Sequence, residues 1–168
     1  MKKVIYFILF FLIFSACKRC PKTENADELI KVENILEKYI IAVENEDYKM
    51  VEDLWASGDS TMMLGTDSHE RLSGWNAIRN AYRNQFDLIS NMYISVHDQF
   101  IRVNCTGNTA WFSQRMNYNF IFDSVAHSFE GLRFTGVLEK DINAEWKMVQ
   151  GHLSVPAHVN IVKKPRQN

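Results

Sequence analysis

The stretch from Thr109 to Asp123, TAWFSQRMNYNFIFD, alternates apolar and polar side chains with a period of two residues over most of its length. This alternation is typical of a β-strand with one face in the core and one face toward water. The same period appears in three further segments, which turn-forming residues separate. They are Met92 to Cys105, His127 to Asp141 and Glu145 to Val155. We therefore predict antiparallel strands joined by hairpins in the second half of the chain.

The two faces of the Thr109–Asp123 segment differ in chemistry. One face carries Ala110, Phe112, Met116, Tyr118, Phe120 and Phe122, and the other carries Trp111, Ser113, Arg115, Asn117 and Asn119. In the preceding segment the apolar phase changes between Val96 and Ile101, which predicts a β-bulge near Asp98 or Gln99. Because a bulge bends a strand, we expect a strongly curved sheet.

Ahead of Leu88 the apolar residues recur at three- and four-residue spacing, as on the buried face of a helix. The first predicted helix begins near Ala26 and buries Tyr39, a second follows Asp47, and a third runs from Trp75 to Leu88. Helices first and long antiparallel strands afterwards are the α+β pattern. We predict a cone-shaped, strongly curved antiparallel sheet packed by about three N-terminal helices.

The N-terminal residues have the build of a secretory signal. Lys2 and Lys3 precede an apolar run that ends at Phe14 and is too short to span a bilayer as a helix. Ser15-Ala16-Cys17 resembles a bacterial lipobox, so we expect lipidation of Cys17 and a location in the bacterial cell envelope, anchored to a membrane and facing the periplasm or exterior. The alternatives are a plain secreted protein and an uncleaved anchor. The expected segments are a signal peptide (1–16), a tether (17–25), a domain (26–160) and a C-terminal tail (161–168).

Composition argues against several classes of function. With 19 Lys and Arg against 20 Asp and Glu, the chain has no basic surplus for nucleic acid. The five histidines have neither the HExxH spacing nor the paired-cysteine spacing of a zinc site, and there is no glycine-rich phosphate loop or Gly-x-Ser-x-Gly elbow. We therefore expect no metal and no cofactor. Cys20 and Cys105 are either two free thiols or one disulfide, and the sequence leaves this open.

Several short motifs give the chain a family resemblance from about Asp27 to Ala157. They are YIIAVENED at 39–47, GWNAI at 74–78, TGVLEKD at 135–141, WKMV at 146–149 and HLSVP at 152–156. In this order and spacing they resemble a SnoaL-like domain of the nuclear transport factor two superfamily, whose members include ketosteroid isomerase and the association domain of calcium/calmodulin-dependent kinase. The resemblance implies an apolar cavity between the first helix and the concave side of the sheet, and it also implies homodimers.

The resemblance to ketosteroid isomerase is incomplete. Tyr39 aligns with the tyrosine that stabilises the oxyanion in that enzyme, but the position of the base falls at about Leu64 and that of the neutral acid at about Gly136. Neither residue can exchange a proton as the chemistry requires. Catalysis is therefore uncertain, and we identify no catalytic residue.

The candidate pocket residues come from both halves of the chain. They are Tyr39, Trp55, Trp75, Arg133, His152 and Ser154. Arg133 would give the pocket an affinity for anions, as could Arg115, and Trp55 and Trp75 with Met63 and Tyr82 would form an aromatic wall. This set assumes that Arg133, His152 and Ser154 face the cavity. The competing register turns Leu132, Phe134 and Leu138 inward instead.

Three functions remain open on the sequence alone. The first is a noncatalytic domain that binds a small apolar or anionic molecule. The second is an enzyme of the isomerase, cyclase or dehydratase type that acts on a carbonyl compound. The third is an interaction module that dimerises through the convex face of the sheet.

Overall fold

The computed structural model of the chain describes residues 26–67 and 69–156. The predicted signal, Cys17, the tether with Cys20, and the tail 161–168 lie outside these residues. No helix in the described ranges is long and apolar enough to cross a membrane. Cys105 is exposed in the turn between Val103 and Thr109.

Helices precede a single sheet, as the change of period predicts. The helices are α1 (Ala26–Glu44), α2 (Tyr48–Leu54) and α3 (Trp75–Leu88). The strands are β1 (Met62–Leu64), β2 (Arg71–Ser73), β3 (Ile89–Val103), β4 (Thr109–Phe122), β5 (Val125–Lys140) and β6 (Trp146–Ser154). The two short strands β1 and β2 were not predicted, because three residues each are too few to show a period.

The order β2-β1-β6-β5-β4-β3 makes one open sheet, in which every neighbouring pair is antiparallel except β1 and β6. The register of β3 against β4 shifts between His97 and Phe100, and Asp98 there has a positive φ of 50°. This shift confirms the predicted bulge. Further shifts occur near the start of β3, in β5 and in β6, and together they curve the sheet around the helices. The α+β cone is therefore confirmed.

Both ends of α1 are attached to the sheet. Glu28, in its first turn, accepts hydrogen bonds from Trp146 Nε1 and Lys140 Nζ, each 2.8 Å away. Glu44, in its last turn, accepts one from the backbone N–H of Ile94 at 2.7 Å. The helix therefore runs from the β5–β6 hairpin to the beginning of β3, with Tyr39 buried against the inner face of the sheet.

A bulge in β6 reverses the side chains of its second half. Val137 pairs with Gln150 but Leu138 pairs with Met148, so Val149 is an extra residue in β6. The strand begins with Trp146 and Met148 in the core, and after the bulge Gly151 is the buried residue. Trp146 and Met148 therefore lie on the inner face of the sheet, whereas His152 and Ser154 lie on the opposite face.

In β5 the alternative register described in the sequence analysis is the one observed. Leu132, Phe134 and Leu138 are buried, and Arg133 is exposed. Gly131, with a positive φ of 65°, lies in a bulge that pairs Phe129 with Tyr118 and Leu132 with Met116. The expectation that Arg133 faces the cavity is wrong, because burying three large apolar side chains outweighs burying one arginine.

Candidate ligand-binding cavity

A cavity of about 420 Å³ lies between α1, α3 and the inner face of the sheet. Its size is within the range that holds small organic ligands. Its buried end is lined by Tyr39, Val43, Met63, Tyr82, Ile94, Met116 and Leu132. Its mouth is lined by the exposed residues Thr66, Glu70, Asn84, Leu88 and Phe129. The cavity is therefore mainly apolar inside, where two groups of polar side chains interrupt it, and more polar at its mouth.

The first polar group is a pair of tyrosines at the buried end. Tyr82 Oη donates to Tyr39 Oη at 3.0 Å, and the rings meet edge to face. The pair carries two hydroxyl protons and this bond uses one of them, so the second can reach an acceptor on a ligand. The Met63 sulfur, 3.8 Å from Tyr82 Oη, is only a weak competing acceptor.

Burial keeps both tyrosines protonated. It raises the pKa of Tyr39 to about 12, although the hydrogen bond from Tyr82 opposes the rise. It also raises the pKa of Tyr82 well above its ordinary value of 10.0. A phenol that does not ionise near neutral pH serves as a hydrogen-bond donor and not as a base.

A second polar group lies on the wall between α3 and β4. Gln85 Nε2 donates to Tyr118 Oη at 2.8 Å, and the Tyr118 hydroxyl donates to the Met92 sulfur at 2.9 Å. Burial raises the pKa of Tyr118 as well. Since these groups satisfy one another, they fix the shape of the wall more than they offer free donors.

The structure brings only one of the six predicted pocket residues to the cavity. Tyr39 lines it, whereas Arg133, His152 and Ser154 lie on the outer face of the sheet, which we define as the face turned away from α1. His152 there contacts the Thr135 hydroxyl at 3.5 Å. Arg115, on the same outer face, forms an ion pair with Asp98. The expected convergence of Arg133 and His152 with Tyr39 does not occur.

The predicted aromatic wall is divided between cavity and core. Met63 and Tyr82 line the cavity. Trp55 and Trp75 are buried instead in the core, where their rings stack with centroids 6.5 Å apart. A stacked indole pair fills core volume and offers no surface to a ligand.

The positions aligned with the isomerase base and acid hold no replacement group. Leu64 is half-buried and lies outside the cavity lining, next to Met63. A Cβ atom at Gly136 would lie 2.4 Å from the Gln150 carbonyl oxygen and 2.7 Å from Phe112 Cε1. A side chain of any kind is therefore excluded from the position of the acid.

Several residues that line the cavity were not predicted as pocket residues. Tyr118 and Phe120 lie in the apolar phase of β4, and this phase together with the predicted curvature was a usable signal. Leu132 was named only in the competing register. Glu70 lies between β1 and β2, outside any periodic segment, so nothing in the sequence pointed to it.

Among the residues that the structure describes, the carboxylate of Glu70 is the only formally charged group in the lining. It packs across Gly65, where a Cβ atom would lie 1.7 Å from Glu70 Oε2. The neighbouring His69 and Arg71 do not line the cavity. Within residues 26–67 and 69–156, no group of three or more His, Cys, Asp or Glu side chains could hold a metal ion.

Comparison with known families assigns the domain. The family described as the SnoaL-like domain matches residues 32–158, which is most of the chain. The chain belongs to the SnoaL-like domain family. No protein with a curated function matches the sequence.

Solved structures share the fold at low sequence identity. A nuclear transport factor 2-like superfamily protein from Salmonella enterica superposes with a TM-score of 0.73 at 17% identity, covering 83% of this chain and 99% of its own. A ketosteroid isomerase-like protein from Erwinia carotovora gives 0.65 at 15%, with 79% and 99% covered. An NTF2-like protein of unknown function in nutrient uptake, from Rhodospirillum rubrum, gives 0.61 at 23%, with 75% and 98% covered. At these identities the likeness shows the fold of this SnoaL-like domain and not its activity.

Proposed function

We propose that this SnoaL-like domain binds a small, mainly apolar molecule in the cavity, without catalysing a reaction. The observation that carries the proposal is the tyrosine pair, which offers one hydroxyl proton at the buried end of an otherwise apolar space. A preformed apolar pocket with a few convergent polar groups is the usual form of a ligand site. Arg133 and Arg115 lie elsewhere, so the anionic ligand considered from the sequence is dropped.

A native mass spectrum tests this function. The protein would be purified from its own host under nondenaturing conditions and compared with the same protein denatured before analysis. We expect a noncovalent mass that disappears on denaturation. The bare mass of the polypeptide with its covalent modifications in both samples would argue against a resident ligand.

The enzymatic alternative lacks a base near the tyrosines. Glu70, the one carboxylate among the described lining residues, lies at the exposed mouth, whereas Tyr39 and Tyr82 are at the buried end. General-base catalysis typically contributes a factor of about 10² to 10⁴ in rate. We expect no Δ5-3-ketosteroid isomerisation above the buffer rate. Turnover that is lost in Tyr39→Phe would overturn this expectation and would reveal a base elsewhere.

We also propose that the domain is anchored in the bacterial envelope through a lipid on Cys17. The apolar run that stops at Ser15-Ala16-Cys17 supports this. A fatty-acid probe fed to the producing cells should label the protein, and Cys17→Ser should abolish the label. Equal labelling of the two proteins would refute the anchor.

A homodimer is a further proposal, supported by apolar side chains on the outer face of the sheet. Tyr93, Phe100 and Trp111 are exposed by 64%, 48% and 46%. Aromatic side chains are enriched in protein interfaces. We expect a dimeric mass in light scattering and a monomeric mass for Trp111→Glu. A monomeric mass for the unaltered protein would contradict the dimer.

A further inference from the structure

We propose that the cavity selects a cationic amphiphile: a molecule with an apolar body and an amine, whose ammonium group lies beside Glu70 at the mouth. This inference rests on the proposed function, because it specifies the ligand of the same cavity. It reverses the preference for anions that the sequence suggested.

The charge of the cavity lining favours a cationic ligand. Within the described part of the chain, no Lys, Arg or His lines the cavity, and Glu70 is the one carboxylic acid there. Among the described residues the Glu70 carboxylate has no ion pair, whereas Glu28 and Asp98 are both paired. An anion entering the mouth would meet an uncompensated negative charge, and a cation would supply the missing partner.

The backbone of the loop between β1 and β2 fixes the position of the Glu70 carboxylate. Gly65 is the residue over which the Glu70 carboxylate packs, and any larger residue there would displace it. The backbone N–H of Gly65 donates to the Glu70 carbonyl oxygen at 2.9 Å, which closes the loop between β1 and β2. Both residues line the cavity, so the loop holds the carboxylate at its edge.

The rest of the lining sets the body of the ligand. Of the apolar and aromatic lining residues, Leu88 and Phe129 are exposed, Tyr118 and Phe120 are half-buried, and Met116 and Leu132 are buried. These side chains favour an aromatic or alicyclic body. Charge selectivity therefore arises only at the mouth.

Three probes with one bicyclic body separate charge from shape. They are 2-(1-naphthyl)ethylamine, 2-(1-naphthyl)ethanol and 1-naphthylacetic acid. Near neutral pH the first is a cation, the second is neutral and the third is a carboxylate anion. Calorimetric titrations of the full-length protein would be run at low ionic strength with the unaltered chain, Glu70→Gln and Glu33→Gln. Glu33 is exposed on α1 and does not line the cavity, so its substitution controls for net charge.

We expect the amine to bind about tenfold more tightly than the acid. Glu70→Gln should weaken the amine about three- to fivefold, as for a partly exposed ion pair, strengthen the acid and leave the alcohol unchanged. Glu33→Gln should change none of the three. A cavity that binds the alcohol but shows no preference for the amine, or keeps that preference in Glu70→Gln, would overturn the cationic ligand and leave the proposed function intact. Failure of all three probes to bind would count against both.

Discussion

At the scale of single residues, Tyr39 is where sequence and structure agree on a pocket residue. Its hydroxyl group lies at the buried end of the cavity and shares a hydrogen bond with Tyr82. The helical period predicted its burial, but only the three-dimensional structure identifies its partner, because Tyr82 lies on another helix 43 positions away. The sequence therefore predicted Tyr39 as a pocket residue but did not predict its pairing with Tyr82.

Tyr39→Phe should weaken the binding of 1-tetralone, a neutral bicyclic ketone whose carbonyl oxygen can accept the free hydroxyl proton of the tyrosine pair, about three- to tenfold. This loss is the equivalent of one hydrogen bond of about 0.5 to 1.5 kcal/mol. Calorimetric titration measures the change. Tyr93→Phe is the matched control, because Tyr93 is exposed on the outer face. Equal affinities for Tyr39→Phe and the unaltered chain would show that the tyrosine pair does not contact the ligand.

Glu28 is the residue whose ionisation should matter most for stability. The hydrogen bond from Lys140, with those from Lys31 and Trp146, lowers its pKa from 4.5 to about 2 despite the opposing effect of burial. The unfolded chain takes up this proton near pH 4.5 and the folded chain only near pH 2. The contribution of Glu28 is therefore complete above about pH 5 and is lost as the pH falls toward 2.

Glu28→Gln should lower the free energy of unfolding at pH 7 by about 1 to 2 kcal/mol, because charged hydrogen bonds to Lys140 and Trp146 are lost. The difference from the unaltered domain should shrink between pH 5 and pH 2. Urea unfolding at several pH values measures it, with Glu33→Gln as the control. A difference that stays constant down to pH 2 would contradict the assigned pKa.

At the scale of elements, the spacing of apolar residues predicted the long helices and strands. It revealed the bulge in β3 but not the bulge in β6. The helix Trp75–Leu88 and the bulge near Asp98 were both predictable, since each shows in the spacing of apolar residues. The bulge at Val149 is harder to see in the sequence, because Gln150 and Gly151, which follow it directly, carry no large apolar side chain that would show the change of phase. One undetected residue was enough to place His152 and Ser154 on the wrong face of β6.

The β5–β6 pair offers a test of how closely the sheet packs. Gly136→Ala should destabilise the domain by about 3 kcal/mol, because the new Cβ would overlap the Gln150 carbonyl oxygen and the Phe112 ring. Gly131→Ala should cost only about 1 kcal/mol for its positive φ, since its Cβ would meet only Pro156 Cγ at 3.7 Å. Thermal or urea unfolding ranks the two. A Gly136→Ala domain as stable as the unaltered one would show that these strands lie further apart than described.

At the scale of the whole molecule, the fold follows from the sequence more directly than the site does. Helix and strand periods, in that order, lead to the cone, and the SnoaL-like family match agrees with it. The cavity depends on which phase of each strand turns inward and on Glu70, a loop residue outside any pattern. The chemistry of the ligand therefore depends on side-chain positions that the sequence pattern does not define.

The central claim, that the cavity is the binding site, is tested most directly by filling it. Ala81 is half-buried in the lining, so Ala81→Phe should occupy the cavity, while Asn80→Phe adds the same ring to the exposed side of α3. The measurement is a fluorescence titration of each protein with the neutral dye Nile red. We expect saturable binding to the unaltered chain and to Asn80→Phe, and at least tenfold weaker binding to Ala81→Phe. Equal binding by all three, with each still folded by circular dichroism, would contradict it.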